Sequence, residues 1–167
     1  MRPEIVSDAL AILQDPAFTD KVQGAKLIPK TVRAALMQRF EECGKPLRSL
    51  GDAKDRVFKQ GRLLLHLSFA DAPEDVAAAT DPTALEMLKS ELWSEHISHL
   101  LFVIIASTPV EKSAVDAILE GLRGKLTCRH TQETKQCESV VLRFPKVGLQ
   151  TALVEVLGLS SFDVCFH

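Results

Sequence analysis

Tyrosine is absent from this 167-residue chain, tryptophan occurs once, and aromatic residues make up only 5% of it. That scarcity argues against recognition of single-stranded nucleic acid, whose bases stack on exposed aromatic side chains. Neither charge dominates: 20 Lys/Arg face 22 Asp/Glu, for a net charge of -2 and a pI near 6.2. A protein that neutralises many phosphates usually carries a concentrated basic excess. Here the distribution is +3 over residues 1–61, -5 over 62–107 and 0 over 108–167, so nucleic acid is not an expected partner. Long apolar runs are lacking too. The longest, 100–106, has seven residues, against about 20 for a bilayer-spanning helix, and no membrane span is expected.

Other signatures are missing. Glu4 and Asp8 fall among the first eight residues, which form no apolar stretch, so a secretory signal is not expected and the cytoplasm is the expected compartment. Cys43, Cys128, Cys137 and Cys165 are then expected to be reduced thiols used as small apolar filler. No G-x-G-x-x-G or G-x-S-x-G occurs. Gly121, Gly124 and Lys125 follow a predicted helix and precede a predicted strand, the reverse of a phosphate-binding loop.

Two Cys-x-His steps, Cys128 with His130 and Cys165 with His167, bring a thiol and an imidazole to one strand face each. Their strands are expected at opposite sheet edges, too far apart for one tetrahedral zinc. His96 and His99 lack the H-E-x-x-H pattern, and His96 continues a leucine stripe. No metal and no cofactor are therefore expected.

What is present is enough apolar sequence, 46%, for a core without disulfides or metal. Pro3 opens a helix carrying Ile5, Val6, Ala9, Leu10 and Leu13, which Asp15 and Pro16 end. A second amphipathic helix is predicted over 31–43 from Val32, Leu36 and Phe40, with Gly44 and Pro46 as its stop. A short helical turn is expected within 52–59.

Alternation in 62–69 predicts a strand with Leu63, Leu65, Leu67 and Phe69 on an apolar face and Leu64, His66 and Ser68 on a mixed one. Asp81 and Pro82 open a helix with Leu85, Leu88 and Leu92 on one face. A buried strand follows over 99–107, then a helix over 110–122 closed by Gly124. Strands at 126–131 and 139–144 are expected to form a hairpin. A helix over 147–157 and a strand over 162–167 complete the chain.

From about residue 97 this order is β-α-β-β-α-β, the ferredoxin-like plan. The expectation is an α+β protein: N-terminal helices followed by a ferredoxin-like (βαββαβ) antiparallel sheet region. It divides into a helical part, 1–61, and a sheet part, 62–167, which can share one compact domain. Such a fold hosts many functions and selects none.

The function expected first is a non-enzymatic interaction subunit or adaptor of a cytosolic complex, with a protein partner and with room for a homo-oligomer. Edge strands and helix faces are the common docking routes, which points to Arg33 and Arg39 on the second helix and to Phe162, Val164 and Phe166 on the last strand. The alternative is a small enzyme or ligand sensor with a site at Ser107 and Thr108, where free N–H groups at a helix start bind anions. An RNA-binding ferredoxin-like module ranks third, with Phe102 and Phe144 as its available strand aromatics.

Overall fold

A computed structural model describes residues 4–24, 29–50, 57–69, 88–94, 97–106, 126, 135–143 and 155–164. Helix α1, Glu4–Gln14, turns its apolar stripe of Val6, Ala9, Leu10 and Leu13 inward. The residues that stop it also begin the next helix. Asp15 accepts a hydrogen bond from the Ala17 N–H on its Oδ1 at 2.9 Å, and its carbonyl accepts from Phe18 and Thr19. It is thus the N-cap of helix α2, Pro16–Gly24, with Pro16 at the first helical position, where its missing N–H costs nothing.

Helix α3, Pro29–Glu42, buries Val32, Ala35, Leu36 and Phe40, the face that their spacing predicts. It closes on Gly44 at φ +73°, where Gly44 N–H bonds Glu41 C=O at 3.0 Å and Lys45 N–H bonds Phe40 C=O at 2.9 Å. This Schellman closure needs a left-handed residue, which glycine adopts without a steric penalty.

Six strands follow: β1 Arg48–Ser49, β2 Val57–Gln60, β3 Leu63–Phe69, β4 His99–Ala106, β5 Lys135–Arg143 and β6 Glu155–Val164. They form one mixed sheet in the order β1-β2-β3-β4-β5-β6. β2 is antiparallel to β1 and β3, the central trio β3, β4 and β5 is parallel, and β6 is antiparallel to β5. A two-residue turn with Gly61 at φ +55° joins β2 to β3.

The α+β class holds, but the strand order differs from the ferredoxin-like one. That plan sets the last strand beside the first strand of the unit, whereas β4 has β3 on one side and β5 on the other, and β6 lies outside β5. The reason lies in β3. All seven of its residues are buried, including His66 at 2% and Ser68 at 5% exposure, so its supposedly mixed face is covered and the strand belongs inside the sheet. Parallel strands require crossover connections that run over a sheet face, and so they are buried on both sides.

Three local expectations change as well. Residues 57–59 are strand, not helical turn, because Val57 and Phe58 are both fully buried and pair with His66 and Leu65. Residues 155–157 open β6 instead of ending a helix. β5 takes β4 and β6 as neighbours instead of a hairpin partner from 126–131, and Leu126 itself is helical. The remaining residues of the helices and strands predicted at 110–122, 126–131 and 147–157 lie outside the described residues.

The pairings sort residues between two faces. Leu63, Leu65, Leu67 and Phe69 share one with Leu101, Val103, Ile105, Val140 and Leu142, and all belong to one apolar cluster with the buried residues of α1, α2 and α3. Leu64, His66 and Ser68 share the other with Leu100, Phe102 and Ile104. On that second side Lys59, in register with Leu64, pairs with Glu91 at 3.5 Å. This places the helical residues 88–92 over the face opposite α1–α3. The Trp93 indole N–H donates to the Leu126 carbonyl at 2.7 Å.

Candidate functional site

Polar groups that chemistry could use are few among the described residues, and three groupings stand out. The first joins the N-terminal helices. Arg39 donates to Asp15 Oδ2 at 2.8 Å and to Glu42 Oε2 at 3.1 Å, so its guanidinium ties α3 to the start of α2. The Ala17 N–H and then the Arg39 guanidinium hold the Asp15 carboxyl below its ordinary range, and Asp15 followed by Glu42 raises Arg39. Arg39, an expected partner contact, has its charge engaged within the chain. Arg33 sits half-buried on the same helix.

The second grouping is His66, whose Nδ1 lies 3.3 Å from Ser68 Oγ and whose ring is tilted 42° to Phe102 at 5.3 Å. With the imidazole 2% and Phe102 4% exposed, this pair is part of the core. Phe102 is therefore not a surface for stacking bases, and His66 has no path to a solvent-borne substrate.

The third is Ser98, with its Oγ 2.7 Å from His99 Nδ1, both half-buried where β4 begins. A hydroxyl beside an imidazole is the core of a nucleophile-base pair, but the base also needs a carboxylate or carbonyl to orient it. In register His99 lies between Leu63 and Gln136.

Ser107, Thr108, Phe144 and Phe166 lie outside the described residues, as do Cys128, His130, Cys165 and His167. Ser107 directly follows Ala106, the last residue of β4, at the carboxyl end of the parallel trio. Ligands in open α/β sheets bind there, in the crevice where strand order reverses. From β3 to β4 to β5 the order advances in one direction only, and no such crevice is formed among these strands. No group of three metal-ligating residues assembles among the described residues, and none of the helices there is long and apolar enough to cross a membrane. Cys43, expected to be filler, is exposed.

Phe162 and Val164 come together, two residues apart on β6 at the end of the sheet and in register with Cys137 and Lys135 of β5. The two ends of this sheet are built differently. At one end β1 is two residues long, begins with Arg48 and follows closely on Lys45 and Pro46. At the other, β6 runs for ten residues, EVLGLSSFDV, without a lysine, arginine or proline. Short edges, cations and prolines are the devices that keep an exposed edge from recruiting another strand. β1 has all three; β6 has none of these, although Glu155, Asp163 and a register shift against β5 near its start interrupt it, and among the described residues it is the candidate interface. The strand and its place at an edge were legible at the end of the sequence; its length and its neighbour β5 were not.

No family model matches the chain, and neither a curated protein nor a solved structure matches it.

Proposed function

We propose that this protein is a non-enzymatic interaction subunit of a cytosolic complex that receives an extended segment of a protein partner along β6. The contrast between the two-residue β1 edge, with its lysine, proline and arginine nearby, and the ten-residue β6 edge, which has none of these, carries this reading. An added strand gains main-chain hydrogen bonds along the edge, and alternate side chains supply selectivity. The alternative, a ligand site at Ser107 and Thr108, draws support only from their place after β4, in a parallel trio whose order never reverses.

Single prolines at 159 to 163 test the proposal. In an antiparallel pair the N–H groups of successive residues point alternately to the two sides of the strand. Proline should therefore lower thermal stability at every second position, where the amide faces β5, and leave it nearly unchanged at the positions between. Those tolerated variants should lose a partner that the wild-type chain retains on affinity purification. Equal destabilisation at all five positions would show that both sides of β6 are already paired and would remove the reading.

A further inference from the structure

We draw no further inference here: the strongest candidate, the half-buried Ser98–His99 side-chain pair where β4 begins, carries no proposal because the backbone N–H groups of both residues already bond the Arg62 carbonyl and nothing among the described residues shows what ligand or substrate the pair would take.

Discussion

Asp15 serves two helices and a third side chain at once: its backbone ends α1, its Oδ1 caps α2 and its Oδ2 holds Arg39 of α3. Because its folded pKa is lowered, the carboxylate contributes stability that is fully present above the ordinary carboxyl range. That contribution is lost as pH falls through the lowered folded value. Asp15→Asn keeps a good capping oxygen and loses the charge. Its urea midpoint should fall below the wild type's at neutral pH, and the gap should close on acidification into the range where Asp15 itself is protonated. A gap that persists at low pH would assign the effect to the cap and not to the pair with Arg39. Lys45, 3.0 Å from Asp8, adds a second tie between the end of α3 and α1.

At the scale of elements, the β2–β3 hairpin carries a clear local instruction. Gln60 and Leu63 are paired across a turn of Gly61 and Arg62, with Gly61 in the left-handed region at φ +55°. A Cβ there meets nothing within 4 Å, so Gly61→Ala should destabilise through backbone strain alone. The expected loss is about 1–2 kcal/mol, measured from denaturant unfolding with an unchanged slope. Helices α1 and α3 were legible from the sequence because apolar residues at i, i+3 and i+4 and the stop at Gly44 act within one turn of chain, whereas α2, nine residues with a weak apolar stripe, was not. β2 was not, since four residues between charged neighbours show too little alternation. The start of β6 was missed for a related reason. Leu157 continues the i+4 spacing of Leu149 and Leu153, and such spacing does not reveal that the chain pairs with a neighbour over 155–164.

Across the whole molecule, the sheet face that bears Leu63, Leu65, Leu67, Leu101, Val103 and Ile105 is covered by α1, α2 and α3. The boundary expected at residue 61 falls inside the β2–β3 turn, so cutting there removes β1 and β2 along with the helices. Burying one such side chain is worth roughly 1.5–3 kcal/mol, against about 5–15 kcal/mol for an entire domain. The isolated segment 62–167 should therefore bind a dye for exposed apolar surface and lack a cooperative thermal transition. Cooperative unfolding of that segment near the full chain's midpoint would instead show that the sheet part folds without its helical cover.

Sequence by itself determined the α+β class, helices α1 and α3 with their buried faces, and strands β3 and β4, because the patterns that specify them repeat over three or four residues. It also narrowed the chemistry: missing phosphate-loop and hydrolase motifs and the absence of tyrosine are properties of the chain before it folds. Only the tertiary structure decided that β3 joins the trio as a parallel interior strand, since pairing partners thirty or more residues apart leave no local mark. The neighbour of β6, β5 and not β4, was decided in the same way. Alternation along residues 162–167 can suggest a strand, but whether one side of it stays open depends on which strands lie beside it. With β3 on one flank of β4 and β5 on the other, β6 was left the outer place.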